Sequence, residues 1–164
     1  MIRLFTPHYR LNSVLELDAD RLRELGLDGL LLDLDGTLKD YRAEHIPVPV
    51  VVWIQRLQAQ GLRLCLLSNG KHRRIERFAK VLGIPFVAKA FKPLPFGCQR
   101  ALRILSVDRS RTAVIGDQVF ADVLAGRLAG LRTFLVPPTH PVAEEPWFTR
   151  IKRPLERWVL RCVT

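Results

Sequence analysis

The chain of 164 residues carries 26 Lys and Arg against 16 Asp and Glu, which gives a formal net charge of +10. An apolar fraction of 48% with 26% charged residues is typical of a globular domain and excludes a wholly disordered chain. No apolar run reaches the roughly 20 residues that a membrane-spanning helix needs, and the N-terminal residues lack the apolar core of a signal peptide. We therefore expect a cytoplasmic globular protein with a polyanionic partner, either nucleic acid or an anionic membrane surface.

Short apolar runs alternate along the chain with longer stretches that have helical periodicity. A first helix is predicted at 18–25 and a last one at 147–160, where Pro154 is expected to kink or restart the helix. The alternation between them predicts an α/β fold, a doubly wound Rossmann-like parallel sheet of about five strands with helices on both faces. The predicted elements are strand 29–34, helix 47–60, strand 62–67, helix 71–82, strand 86–88, helix 95–105, strand 112–115, helix 122–129 and strand 132–136.

These elements predict a single domain that occupies residues 1–164. Its core covers about residues 27–136, with an N-terminal extension at 1–26 and a basic C-terminal tail at 141–164. No repeat, low-complexity tract or linker divides the chain.

Polar side chains follow the predicted strands at the points where the strands end, which is where open α/β sheets bind their ligands. Asp33 and Asp35 lie at the end of the first strand, and one such acid can serve as nucleophile or metal ligand while the other acts as general acid and base. Ser68, Asn69 and Gly70 follow the second strand and lead into a helix, an arrangement that suits an anion.

The third and fourth strands add a cation and two more carboxylates. Lys92 stands before Pro93 after the third strand, and Asp117 and Asp122 follow the fourth. Each feature alone is typical of an ordinary turn or a solvated loop. Their order and their shared position behind apolar runs indicate a single functional site.

This ordered set resembles the four motifs of the haloacid dehalogenase superfamily of phosphohydrolases, over about residues 27–136. The resemblance implies the strand order five-four-one-two-three, which would bring Asp33 and Asp117 together at the switch point of the sheet. It also implies that Asp33 is the nucleophile that forms an aspartyl-phosphate. Asp35 would protonate the leaving alkoxide and then activate the hydrolytic water.

The same resemblance implies the ligands of the cofactor and of the phosphate. Mg²⁺ would be held by the carboxylates of Asp33 and Asp117 and by the main-chain carbonyl of Asp35. The expected phosphate ligands are Ser68, Asn69 and Lys92. The expected supporting residues are Thr37, Gly116 and Asp122, and Asp122 would orient Lys92 or a metal-bound water.

Finer features resemble subclass IIIA of the superfamily, and within it the YqeG-type subfamily, which includes or is close to phosphatidylglycerophosphate phosphatases. The matching segments are GLLLDLD at 29–35, AFKPLP at 90–95, VIGDQ at 114–118 and DVL at 122–124, whereas Phe120 and Ala121 depart from the small or polar residues common there. The segment between Leu38 and the next helix is too short for a cap domain. The resemblance therefore implies an open site for a phosphate on a large or membrane-embedded substrate.

The basic tail fits a membrane partner. Its apolar residues lie among Arg and Lys, as in helices that bind at a membrane surface, so we expect a peripheral protein on the inner face of a membrane acting on a phosphorylated lipid. The alternative is that the tail is an ordinary solvated helix face without a role in membrane binding. The apolar residues of the tail are Trp147, Phe148, Ile151, Leu155, Trp158, Val159 and Cys162.

Three other functions are weaker alternatives. A phosphatase acting on nucleic-acid ends, or a nucleic-acid-binding module, suits the charge, but no RNA-binding signature appears. A catalytically silent scaffold would leave the clustered acids without a reason. A cysteine phosphatase lacks the required arginine, because the sixth residue after Cys65 is Lys71 and after Cys98 is Ile104. These cysteines and Cys162 match no zinc spacing and are expected to be reduced thiols.

Overall fold

A computed structural model of the chain describes residues 2–140, 145 and 147–162. The strands among these residues are β1 Tyr9–Arg10, β2 Gly29–Leu32, β3 Arg63–Leu67, β4 Phe86–Val87, β5 Thr112–Gly116 and β6 Arg132–Leu135. These six strands form one parallel sheet in the order β1-β6-β5-β2-β3-β4, so the predicted α/β fold is confirmed and the five predicted strands take the predicted order.

The sheet has one strand more than the sequence predicts. The additional strand β1 lies at the edge, where Tyr9 pairs with Phe134 and Arg10 with Leu135. Two residues are too few for an alternating pattern, so periodicity alone could not reveal this strand. The N-terminal segment is consequently part of the sheet rather than an extension outside it.

Helices cover both faces of the sheet because successive buried side chains of a strand point to opposite sides. Leu30 and Leu32 of β2 belong to the apolar cluster on one face of the sheet, whereas Leu31 belongs to the cluster on the other face. The described thiols of Cys65 and Cys98 are free and buried in the second cluster. The helices are α1 Ala19–Glu24, α2 Val48–Ala59, α3 His72–Leu82, α4 Phe96–Leu105, α5 Leu124–Leu128 and α6 Trp147–Cys162.

Two helical segments differ from the prediction. The start of the predicted helix 122–129 lies in a π-helical turn, Val119–Val123, and α5 begins only after it. Helix α6 is continuous through Pro154, so the expected restart of the helix there is wrong. Among the described residues, no helix is both long and apolar enough to cross a membrane.

Candidate active site

The site lies where β2, β3 and β5 end. The ends of these strands stand in register, because Leu32, the last residue of β2, pairs with Leu66 of β3 on one side and Ile115 of β5 on the other, each one residue before the end of its strand. The side chains that follow each strand therefore emerge at one edge of the sheet. This register brings Asp33 and Asp117 together from positions far apart in the chain.

Three carboxylates converge at this edge. Oxygens of Asp33, Asp117 and Asp122 all lie within 4.8 Å of one another, and the three residues are buried. The hydroxyl of Thr37, also buried, donates to Asp33 Oδ2 at 3.0 Å or to Asp117 Oδ1 at 3.3 Å. Four of the residues predicted from the sequence, Asp33, Thr37, Asp117 and Asp122, thus form one compact cluster.

Lys92 neutralises part of this cluster. Its Nζ donates to Asp33 Oδ1 and to Asp122 Oδ1, each at 2.6 Å, and to the carbonyl oxygen of Leu67 at 3.0 Å. Burial alone would lower the pKa of Lys92, but Asp122 and Asp33 outweigh burial and raise that pKa. The lysine is therefore a fixed cation beside the predicted nucleophile, and Asp122 orients it.

The acids remain short of positive charge. Burial, opposed by Lys92 and reinforced by repulsion from Asp122, raises the pKa of Asp33 to about 7. Burial and repulsion from Asp33 and Asp122 raise the pKa of Asp117 to about 8, although Arg153 opposes them. A divalent cation would relieve this repulsion, and converging carboxylate oxygens are the donors that Mg²⁺ prefers. The residues present therefore fit a magnesium site, with Asp122 as an additional candidate ligand.

Asp35 has a different environment from Asp33. The Arg74 guanidinium donates hydrogen bonds to both carboxylate oxygens of Asp35, at 2.6 and 2.7 Å. The Nζ of the fully buried Lys39 lies 2.9 Å from Asp35 Oδ1. Burial would raise the pKa of Asp35, but the hydrogen bonds from Arg74 and Lys39 outweigh it and lower the pKa. The carboxylate of Asp35 is thus held ionised and stands outside the three-acid cluster.

The segment after β3 shapes the neighbouring loop. The Asn69 amide accepts a hydrogen bond from the Lys92 backbone N–H at 2.8 Å and donates to the Lys92 carbonyl oxygen at 3.0 Å. Both polar atoms of Asn69 therefore hold the loop that carries Lys92, here called the lysine loop, and Asn69 also lines the cavity above the acids, so its role as a phosphate ligand stays a prediction. The buried Ser68 hydroxyl accepts from the Gly70 N–H at 3.1 Å.

Helix α6 forms one wall of the site, which the sequence did not predict. The buried Arg153 contacts Asp117 through the side-chain oxygen Oδ2 and donates to its main-chain oxygen at 2.7 Å. The same guanidinium donates to Glu145 at 3.0 Å and Glu156 at 3.2 Å. Among the described residues, the inner face of α6 thus packs on the core and inserts a cation beside the acids.

A cavity of about 260 Å³ opens above the acids. Residues of the predicted motifs, other cationic side chains and two residues of α6 line this cavity. The residues that line it are Asp33, Asp35, Tyr41, Ser68, Asn69, Gly70, Arg74, Lys92, Pro93, Gln118, Phe120, Ala121, Thr149 and Lys152. Helix α6 therefore borders the site on one side, through Thr149 and Lys152.

Gly116 allows Asp122 to approach the strand end. A Cβ at residue 116 would overlap the Asp122 carboxylate, so Gly116→Ala should displace Asp122 from Lys92 and lower kcat at least about tenfold. Gly26→Ala is the control, because its positive φ of 68° strains the backbone but nothing lies within 4 Å. Both variants should lose stability in thermal unfolding. Equal activity of the two variants would show that the close approach has no catalytic importance.

Comparisons of the sequence show which known proteins this chain resembles. A sequence model described as haloacid dehalogenase-like hydrolase matches residues 49–130. A Bacillus subtilis protein named "Probable phosphatase YqeG" is 31% identical over 158 residues, which cover 96% of this chain and 91% of that protein. A Chlamydomonas reinhardtii protein named "Phosphatidylglycerophosphate phosphatase 1, chloroplastic" is 26% identical, over 96% of this chain and 62% of its own length.

A solved structure supports the fold alone. The cobalt-bound deoxy-D-mannose-octulosonate 8-phosphate phosphatase of Haemophilus influenzae superposes with a TM-score of 0.57 at 19% identity. The match covers 84% of this chain and 89% of that one.

Proposed function

Since the chain belongs to the haloacid dehalogenase-like hydrolase family and is a phosphatase of that family, we propose that it is a Mg²⁺-dependent phosphomonoesterase that converts phosphatidylglycerophosphate to phosphatidylglycerol. One observation carries the mechanism: the buried Asp33 carboxylate borders the cavity and is held by Lys92 on one oxygen and Thr37 on the other. Two fixed hydrogen bonds orient the carboxylate for attack and restrict its motion.

The proposed reaction has two steps. In the first, an Asp33 oxygen bonds to phosphorus, the bond from phosphorus to the ester oxygen breaks, and Asp35 gives the leaving alkoxide a proton. In the second, Asp35 takes a proton from water as that water attacks phosphorus and releases Asp33. Bound Mg²⁺ would supply positive charge for the phosphoryl oxygens, next to Lys92 and the Ser68 hydroxyl.

Arg74 links substrate binding to the state of Asp35. At rest its guanidinium is bonded to Asp35, which favours the ionised form of that carboxylate. The side chain also lines the cavity, so an incoming phosphate competes with Asp35 for it. Loss of the Arg74 hydrogen bonds would raise the pKa of Asp35, so that Asp35 takes up from solvent water the proton that it donates in the first step.

The charges of the cavity support a substrate with a second anionic group. Beyond Lys92, the cavity presents Arg74 and the α6 residue Lys152, which forms no ion pair with the described residues. Phosphatidylglycerophosphate carries a phosphodiester close to its terminal phosphate. A cavity of about 260 Å³ holds such a headgroup but not the acyl chains, so the substrate would stay in the membrane, on its cytoplasmic side.

Lys152→Ala should separate the two kinds of substrate. Loss of this cation is expected to raise KM for phosphatidylglycerophosphate about five- to tenfold, with little effect on a monoester that has no second charge, such as p-nitrophenyl phosphate. Steady-state kinetics on both substrates measure the difference. Lys80→Ala is the control, because Lys80 is exposed on α3 and pairs with Glu76. A KM increase shared by both substrates would contradict the second anion site.

A substrate panel tests the proposed function. Phosphate release is measured with phosphatidylglycerophosphate in mixed micelles, with phosphorylated DNA and RNA ends and with p-nitrophenyl phosphate, in Mg²⁺ and in EDTA. We expect Mg²⁺-dependent release with preference for the lipid. Preference for nucleic-acid ends would overturn the lipid assignment, and full activity in EDTA would overturn the metal requirement.

A further inference from the structure

The outer face of α6 carries a continuous apolar stripe. Trp147, Ile151, Leu155 and Trp158, here called the α6 stripe, are 72%, 66%, 52% and 62% exposed. Their spacing keeps all four within about 80° of arc on a helix of 3.6 residues per turn. The inner face of the same helix is already used, because Thr149, Arg153 and Glu156 are buried against the core. The side chains of Phe148 and Cys162, also predicted as anchors, lie outside the described part of the chain.

The charged side chains of α6 are also divided between its inner and outer faces. Its acid Glu156 is buried on the inner face, where it pairs with Arg153 at 3.2 Å and accepts from the Phe120 N–H at 3.0 Å. The charges that flank the α6 stripe are therefore all positive. These exposed cations are Arg150, Lys152, Arg157 and Arg161.

A second apolar patch borders the same cavity. In the segment 89–96, here called the Phe91 loop, Phe91, Leu94 and Phe96 are 62%, 48% and 56% exposed. The loop contributes Lys92 and Pro93 to the cavity wall, and α6 contributes Thr149 and Lys152. The loop and the helix that carry the two exposed apolar patches therefore both border the active-site cavity.

The aromatic side chains single out this rim. Among the described residues, the exposed Phe and Trp side chains all belong to the α6 stripe or the Phe91 loop. Exposed aliphatic side chains occur elsewhere, for instance Val81 and Ile104, but without aromatic neighbours of this kind. Aromatic rings combined with Lys and Arg are typical of surfaces that enter the interface of an anionic bilayer.

We infer that the α6 stripe and the Phe91 loop together form the surface by which this protein docks on an anionic lipid bilayer, with the mouth of the active-site cavity facing the headgroups. The inference rests on the proposed function for its choice of occupant. Charge complementarity favours anionic lipid, because the charged residues that flank the stripe on the described part of α6 are all cations. Arg153 connects this docking helix directly to Asp117, so one helix contacts both the proposed membrane surface and the acid cluster.

Vesicle co-sedimentation tests this surface. The wild-type protein should bind phosphatidylcholine vesicles that contain phosphatidylglycerol at least about tenfold more tightly than pure phosphatidylcholine, and added salt should weaken the binding. The double variant Ile151→Ser/Trp158→Ser should lose about tenfold in affinity. The matched control Val81→Ser/Ile104→Ser changes side chains that are 59% and 50% exposed outside the rim and should bind as wild type.

A measurement on the wild-type protein makes the test independent of variant folding. Brominated lipids should quench the fluorescence of Trp147 and Trp158 but not that of the buried Trp53, so binding should leave a residual unquenched fraction. Equal binding to neutral and anionic vesicles, no quenching, or equal binding of the two double variants would overturn the docking surface. Loss of RNA binding rather than vesicle binding in the stripe variant would assign the face to nucleic acid instead.

The docking surface and the proposed function can fail separately. Hydrolysis of p-nitrophenyl phosphate needs no membrane, so the stripe variant should keep wild-type kcat on it. Normal hydrolysis without vesicle binding would overturn the docking surface alone. Vesicle binding through the stripe without hydrolysis of any phosphomonoester would overturn the proposed function alone.

Discussion

Asp33→Asn should lower kcat at least about a thousandfold while the protein stays folded. The amide keeps the shape of the carboxylate but is a poor nucleophile. Lys92 retains its bonds to Asp122 at 2.6 Å and to the Leu67 carbonyl oxygen at 3.0 Å, so the lysine loop keeps its anchors. Removing one negative charge also relieves repulsion among buried acids whose pKa values are raised. Phosphate release and thermal unfolding measure the two effects.

The control uses the same substitution at the other end of the same strand. Asp28 precedes β2, is half-buried and pairs with Arg111. Asp28→Asn should leave kcat within about twofold and cost little stability. An Asp33→Asn enzyme that retains more than a tenth of wild-type activity would remove Asp33 from the role of nucleophile.

Arg153→Met should destabilise the protein by about 3–5 kcal/mol, because it leaves buried carboxylates without their counter-charge. The guanidinium serves Asp117, Glu145 and Glu156 at once, and methionine can fill part of its volume but none of its hydrogen bonds. We expect α6 to detach from the core in this variant. Mg²⁺ should raise the unfolding temperature of Arg153→Met more than that of wild type, since a cation bound at Asp117 replaces the missing charge.

Exposed cations on the same helix provide the comparison. Arg150→Met changes the same residue type on the outer side of α6 and should shift the free energy of unfolding by less than about 0.5 kcal/mol. Arg153→Lys should recover only part of the loss, because an ammonium cannot reproduce the forked contacts. Similar unfolding midpoints for Arg153→Met and Arg150→Met would show that α6 is held by other contacts.

Much of the fold and the acid cluster could be predicted from local sequence. Each buried strand is a continuous apolar run, and a parallel sheet requires the residues after such runs to share one edge. The strand-end positions of Asp33, Asp117 and Lys92 therefore indicated one site, and the strand order implied by the family resemblance placed Asp33 beside Asp117. The pairing of β1 could not, because two residues carry no periodicity.

The contacts that connect distant elements were the other part that local pattern could not supply. Nothing in the spacing of the tail showed that Arg153 reaches Asp117, since the i,i+3 pair with Glu156 suits an exposed helix equally well. The grip of Arg74 on Asp35 and the use of Asn69 to hold the Lys92 backbone likewise depend on how α3 and the lysine loop pack. Sequence pattern thus predicted which residues meet at the strand ends, and packing decided which partner each one takes.

The covalent intermediate offers the most direct test of the proposed mechanism. Enzyme carrying Asp35→Asn, which should slow hydrolysis of the intermediate, is mixed with substrate and Mg²⁺, quenched in acid and analysed by peptide mass spectrometry. The mechanism predicts a phosphoryl group on the peptide that contains Asp33. The double variant Asp33→Asn/Asp35→Asn should show no phosphoryl group on that peptide. A phosphoryl group on another residue such as Ser68, or turnover with no phosphorylated peptide, would contradict it.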